Sequence, residues 1–256
     1  MALITLTSDM GVRDFYIPAM KGILYTHLPD ANIVDISHQI QSFNVIEGST
    51  ILKNAYSFFP KGTIHIVDVN SNYNSQPVYC VAQFQGYYFI GADNGLLPIV
   101  LETQPERMVE IGTTTVSHFP LKDVFIPAAI DLAKGKKITE LGPDIGGFTQ
   151  LGLLNPAVTT NSICGSIMYI DSFKNAITNI HVDTFDQIRA GRRYQISFKR
   201  TETTSFICDA YGDVPEGEIV CIFGMSGYLE IAINKGTAAS LLGLKVSESV
   251  LINFYD

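Results

Sequence analysis

The chain reads as two domains of different class, an α/β domain with a mainly parallel sheet over residues 1–155 and a smaller all-β barrel domain over 160–256. Three observations predict this. The first part alternates strand and helix signals, as parallel sheets with covering helices do. Near Gly152 to Thr160 the pattern changes, and Asn155-Pro156 and Thr159-Thr160-Asn161 are linker chemistry. Beyond it, short strands follow one another closely with turn clusters between them, the pattern of a small antiparallel barrel or sandwich.

Taken in order, Ile4 to Thr7 is a strand, and Tyr16 to His27 is a helix with apolar Ile17, Met20, Ile23 and Leu24 on one face, stopped by Pro29-Asp30. Asn32 to Ile36 is a strand. Asn44 to Phe59 is a helix with Ser42 and Asn44 as rival caps and Pro60-Lys61-Gly62 as its stop. Thr63 to Asp68 is a buried strand that delivers a carboxylate to its C-terminal end, where α/β sheets hold ligands. Tyr79 to Gln83 and Tyr87 to Ile90 flank Gly86 as a hairpin candidate. Short helices are expected over Asn94 to Glu102 and Lys122 to Lys134. In the second part, strands are expected over Ser166–Tyr169, Ala176–His181, Arg193–Phe198, Glu218–Phe223, Tyr228–Ile233 and Val250–Phe254, with one helix, Thr237 to Leu242. A cleft between domains is a usual place for a ligand.

A chain of 256 residues with 46% hydrophobic content can form real cores in both parts. Its net charge of −8 makes it a poor match for nucleic acid or an anionic membrane surface. No segment approaches the ~20 apolar residues of a membrane span, and the N-terminus lacks the basic region of a signal peptide. Cys80, Cys164, Cys208 and Cys221 lie far apart in or beside apolar runs, so buried reduced thiols in a cytoplasmic protein are expected.

Standard motifs are absent. There is no phosphate-cradling G-x-x-x-x-G-K-[ST] loop, no G-x-G-x-x-G after the first strand and no paired metal-ligand spacing. Gly224-Met225-Ser226-Gly227 lacks the spacer that a nucleophile elbow needs. What remains is a set of polar residues at strand ends. Asp9 is either a turn or capping aspartate or a carboxylate accepting from a vicinal diol such as a ribose. Asp68 has the same two readings, and its flank has no helix to cap immediately. Asp93-Asn94-Gly95 reads first as a helix-entry turn. Asp171-Ser172-Phe173-Lys174-Asn175 is a turn by composition, yet it brings together a carboxylate for an ammonium, a ring to stack and an amide to read base edges. Among five histidines, His65 belongs to a buried strand, and His118 alone lies in a loop before a helix near the presumed mouth.

Several segments, in this order, carry a resemblance: Leu6-Thr-Ser-Asp9-Met-Gly11, Met20-Lys-Gly22, Ile33-Val-Asp-Ile-Ser-His38, Phe59-Pro-Lys-Gly-Thr63, Gly91-Ala-Asp-Asn-Gly-Leu-Leu97, Ile170-Asp171 through Asn175 with Thr178-Asn-Ile180, and Gly227-Tyr-Leu-Glu-Ile-Ala232. Over nearly its whole length the chain resembles the S-adenosylmethionine (SAM) hydrolases, or SAM hydroxide adenosyltransferases, relatives of fluorinase and chlorinase. The resemblance implies hydrolysis of SAM to adenosine and methionine by water attack at ribose C5′, with SAM as substrate and no cofactor or metal. It implies a homotrimer with sites between subunits. Asp68 would be catalytic and His118 its candidate partner. Asp9 would hold the ribose hydroxyls, Asn70 would lie at the substrate, Asp171 would face the methionine ammonium, Phe173 and Asn175 the adenine, and Ser226 the methionyl group.

The chain departs from that pattern where the reaction needs help. The family Arg falls at Ser75 or Gln76, and the family His at Pro120; Lys122 stands where an Arg is usual. Two alternatives follow: a weak or inactive protein that binds an adenosyl ligand, and a halogenase-like enzyme that uses a halide as nucleophile. Against the second, Asp68 would repel a halide by about 4 kcal/mol at short range and intermediate dielectric.

Overall fold

The computed structural model describes residues 1–112, 117–148, 154–199 and 202–256, which fall into two compact units, Met1–Leu153 and Leu154–Asp256. Residues 149–153, which include the start of the expected linker at 152–153, lie outside the described residues.

The first unit contains β1 (Leu3–Ser8), α1 (Tyr16–His27), β2 (Asn32–Ser37), α2 (Val45–Tyr56), β3 (Ile64–Asp68), β4 (Tyr79–Phe84), β5 (Tyr87–Ala92), α3 (Leu96–Leu101), β6 (Arg107–Ile111) and α4 (Ile126–Ala133). Asn44, not Ser42, caps α2: its side chain accepts from the Glu47 amide at 3.1 Å. A π-helical turn, Leu121–Phe125, leads into α4 where the sequence predicts one continuous helix. The strand β6 has no counterpart in the sequence reading.

The sheet order is β2-β1-β3-β5-β4-β6 among the described residues. It is mixed, which corrects the expectation of a mainly parallel sheet. The β1–β2, β1–β3 and β3–β5 pairs are parallel, whereas β4 runs antiparallel to both β5 and β6. The cause is the tight turn at Gln85–Gly86, where both residues take positive φ and fold β5 back on β4. Alternate strand residues serve opposite faces. Ile4, Leu6, Ile64 and Ile66 pack with α1 and α4, while Val67, Ala82 and Phe89 pack with α2 and α3.

This order has a functional consequence. From β1 the chain goes to β2 on one side, then crosses back through α2 to β3 on the other. The connections diverge between β1 and β3, and the crevice beyond their carboxyl ends is the topological switch point where open α/β sheets bind ligands. Asp9 follows β1 there, and Asp68 ends β3.

The second unit contains β7 (Ala157–Val158), β8 (Ser162–Ile170), β9 (Ala176–His181), α5 (Val182–Arg189), β10 (Arg193–Phe198), β11 (Glu202–Thr204), β12 (Ile219–Phe223), β13 (Tyr228–Ile233), α6 (Ala238–Leu241) and β14 (Ser249–Tyr255). Among the described residues they form an eight-stranded antiparallel sheet in the order β11-β10-β14-β8-β9-β13-β12, with β7 on β8. A bridge between Cys208, just beyond β11, and Ile222 of β12 brings the two edges close, so the sheet is barrel-like and nearly closed. Its core includes Ile163, Ile180, Phe185, Phe198, Ile231, Val250 and Phe254. The helix α5 is unpredicted: its only buried residue is Phe185, so no apolar stripe marks it in the sequence.

The cysteines are free, and only Cys80 and Cys221 are fully buried; Cys164 is exposed. This corrects the expectation that all are buried. Cys164 occupies an outward position on β8 between buried Ile163 and Gly165. No helix among the described residues is long and apolar enough to cross a membrane.

Candidate functional site

Two polar clusters emerge, one in each unit. The first surrounds the β1/β3 crevice. The parallel register sets Ser8 opposite Asp68, and the Asp9 amide donates to the Asp68 carbonyl at 3.3 Å. Asp9 is half-buried. Its Oδ2 accepts from the amides of Phe43 (2.8 Å) and Asn70 (3.2 Å). Both donor residues take positive φ, 67° and 49°, a conformation few side-chain-bearing residues adopt. Strained backbone of this kind collects at ligand sites. Oδ1 of Asp9 remains for another donor.

Asp68 is only 4% exposed. Burial pushes its carboxyl up from 3.8 to about 6; the Ser71 hydroxyl partly opposes this, and the charge of Asp9 adds to it. Among the described residues neither Asp68 Oδ2 nor Ser71 Oγ finds a hydrogen-bond partner of acceptable geometry, although both atoms are buried. Two adjacent orphaned polar atoms call for a third partner, because an unpaired buried polar group costs about 1–3 kcal/mol. A general base able to work near neutral pH needs a carboxyl raised in this way.

The loop after β3 is held from two sides. The Asn94 amide donates to the carbonyls of Val69 (2.8 Å) and Asn70 (3.0 Å), and its oxygen accepts from the Leu96 amide (3.2 Å). The expected helix-entry turn is therefore also a clamp on the Asp68 loop. On the other side the Tyr79 hydroxyl donates to Asn72 Oδ1 (2.9 Å), and Asn72 Nδ2 donates to the His118 carbonyl (3.5 Å). The imidazole of His118 is exposed and makes no hydrogen bond among the described residues. The structure ties His118 to the cluster through its backbone carbonyl. Ser75 and Gln76 are exposed.

His65 lies deeper in β3. Its Nδ1 bonds Thr5 Oγ1 at 2.7 Å, its ring stacks on Phe89 and its Nε2 has no partner. Burial lowers its pKa to about 4, so it is a neutral core residue.

The second cluster caps the barrel-like sheet. Asp171 and Asn175 close the β8–β9 turn together: Asp171 Oδ1 accepts from the Asn175 amide (2.7 Å) and Oδ2 from its side chain (3.2 Å). Asn175 is buried, while Phe173 is 78% exposed at the tip of the same turn. Glu230 of β13 adds a second carboxyl. Burial raises its pKa, the Tyr211 hydroxyl that donates to it opposes this, and Asp171 raises it further. The Glu230 carboxyl lies over Gly224, where a Cβ would collide with Oε1. Ser226 sits in the β12–β13 turn and its Oγ accepts from the Tyr228 amide at 3.5 Å.

Among the described residues, no group of three or more His, Cys, Asp or Glu is placed to hold a metal ion. The residues that sequence reasoning missed are Ser71, Asn72, Tyr79, Tyr211 and Glu230. Ser71, three residues after the strand-end carboxylate, had a positional signal; the others reach their clusters only through folding.

Residues 4–142 match the model of the SAM hydroxide adenosyltransferase N-terminal domain, and residues 165–251 match that of its C-terminal domain. The chain belongs to the SAM hydroxide adenosyltransferase family. Within that family it is similar to the (R)-S-adenosyl-L-methionine hydrolase of Thermus thermophilus, 30% identical over 93% of this chain and 94% of the relative. The hydrolase of the same name from Methanocaldococcus jannaschii is 28% identical over 98% and 95%. A fluorinase of Actinopolyspora mzabensis is 24% identical over 98% and 96%. Among solved structures, an uncharacterized conserved protein from Thermotoga maritima superposes with a TM-score of 0.88 at 27% identity, covering 98% of this chain and 99% of that one. The SAM hydroxide adenosyltransferase fold thus extends over both units.

Proposed function

We propose that this SAM hydroxide adenosyltransferase family member hydrolyses S-adenosylmethionine to adenosine and methionine. The observation that carries the reading is the buried Asp68 carboxyl at the switch point, raised to about 6, with its orphaned Oδ2 beside the orphaned Ser71 hydroxyl. A water held between them is the nucleophile. Its oxygen bonds to ribose C5′ as the C5′–sulfur bond breaks. Sulfur keeps the electron pair and leaves as a neutral thioether, so no general acid is needed. The proton lost by the water goes to Asp68. Holding a water in line with the sulfonium contributes through proximity as well as basicity.

Asp9 Oδ1 accepts from the ribose hydroxyls, while its Oδ2 stays fixed by the Phe43 and Asn70 amides. Asp171, oriented by Asn175, takes the methionine ammonium; Phe173 offers a ring for the adenine, and Ser226 faces the methionyl group. Asn72 and the His118 carbonyl fix Tyr79 beside Asp68. The assembly proposed is a homotrimer, which light scattering checks. Incubation of the pure protein with SAM, followed by chromatography, is expected to yield adenosine above the uncatalysed background. No adenosine at high protein concentration overturns the reading.

A second reading is favoured by the uncharged Ser75, Gln76 and Pro120: a protein that binds an adenosyl ligand without turnover. Calorimetric binding of SAM with no adenosine formed distinguishes it. A halide nucleophile is disfavoured by the buried Asp68 carboxylate, and chloride-dependent loss of SAM without adenosine tests it.

A further inference from the structure

The second unit holds a group of cations that the proposed reaction does not use. Arg189 ends α5, and Arg192 and Arg193 follow across the Ala190–Gly191 turn, where both residues take positive φ (44° and 80°). Three guanidinium groups thus fall within five residues of a chain whose net charge is −8. Among the described residues no side-chain carboxylate forms an ion pair with any of them. With Tyr194, Phe206 and Tyr255 they line an open cavity of about 720 Å³, within the range of small-molecule sites.

The three arginines divide by role. Arg192 is structural: it donates to the carbonyls of Arg189, Thr160 and Ile188 and to Asn161 Oδ1. Arg189 commits only Nε, to the Arg192 carbonyl at 3.3 Å, and its guanidinium lies over the Tyr194 ring at 4.9 Å. Arg193 commits one terminal nitrogen, to the Asp256 carbonyl at 2.7 Å. Both keep terminal N–H donors with no acceptor among the described residues. The planar fork of an arginine matches a phosphate through two parallel hydrogen bonds. Beside these donors, Phe206 is 76% and Tyr255 46% exposed. An exposed ring beside cationic donors offers a face on which a base of any identity can stack.

We propose that this cavity binds a ligand of the nucleoside phosphate class, with its phosphate on Arg189 and Arg193 and its ring against Phe206. The site lies wholly within the second unit and does not depend on the proposed hydrolysis. Calorimetry of the full chain with ADP tests it. ADP is expected to bind, with inorganic phosphate and adenosine each at least tenfold weaker. The R189A/R193A variant should lose at least tenfold in ADP affinity and much of its salt dependence. F206A, a change at an exposed side chain, should weaken ADP several-fold and phosphate not at all. D9N should bind ADP as wild type does, which separates this cavity from the adenosyl site. No heat with ADP, or equal affinity in wild type, R189A/R193A and F206A, overturns the proposal.

Discussion

Asp9 and Asp68 end neighbouring parallel strands, joined by one hydrogen bond from the Asp9 amide to the Asp68 carbonyl, yet their carboxyl groups have opposite surroundings. Asp9 Oδ2 accepts two backbone N–H groups, whereas Asp68 Oδ2 is buried with none. Two carboxyls in one crevice with different environments take different roles. The solvated, hydrogen-bonded one suits ligand hydroxyls, and the buried one suits a proton.

Replacing Asp68 by Asn keeps the shape and removes the base. The Asp68→Asn variant is expected to lower kcat for adenosine release by about 10²–10⁴-fold. Calorimetry should find SAM affinity changed by no more than a few-fold. A variant as active as wild type would remove Asp68 from the reaction.

The pH profile follows from the same carboxyl. With its pKa raised to about 6, Asp68 is protonated and idle at pH 5 and ionised at pH 7. The value of kcat/KM is therefore expected to rise tenfold per pH unit below about 6 and to level above it. A profile flat from pH 4.5 to 8 would contradict this assignment.

Stability should respond to pH in two opposing ways. Asp68 titrates at 3.8 when unfolded and about 6 when folded, so the native state loses about 3 kcal/mol as pH rises through that window. His65 titrates at 6.5 unfolded and about 4 folded, so its contribution is present above 6.5 and falls by about 3 kcal/mol as pH drops to 4. Urea unfolding across pH 4 to 6.5 should find that Asp68→Asn gains stability relative to wild type as pH rises, while His65→Gln gains relative to wild type as pH falls.

Asn94 holds the carbonyls of Val69 and Asn70 next to the reacting carboxyl. Asn94→Ala leaves both without that donor and should cost about 1–3 kcal/mol in unfolding free energy. Because the loop carries Ser71 and the Asn70 amide that fixes Asp9, kcat should fall more than stability alone explains. Activity measured well below the unfolding midpoint separates the two effects.

Much of this was legible in the order of residues. Helix α1 matches its expected span residue for residue because Ile17, Met20 and Leu24 recur at helical spacing and Pro29 stops it. Strands β9, β10 and β13 match likewise. Helix α5 was not legible, since one buried Phe185 makes no periodic pattern. The mixed sheet was not either, because strand direction depends on which neighbours pair.

Local chemistry in the sequence determined that carboxylates would stand at the ends of β1 and β3, that a turn of Asp171 to Asn175 would present an aromatic ring, and that the turn after Asp68 carries no cation. Only the tertiary structure decided what those groups can do. Burial raised Asp68 toward neutrality, pairing of Asp171 with Asn175 set one carboxylate in place, and Asn72 tied the His118 backbone to the loop after β3. Those outcomes rest on desolvation and on contacts between residues far apart in the chain, such as Asp9 with Asn70 and Asn72 with His118. A linear pattern carries propensities and spacings; it does not carry the dielectric around a carboxyl.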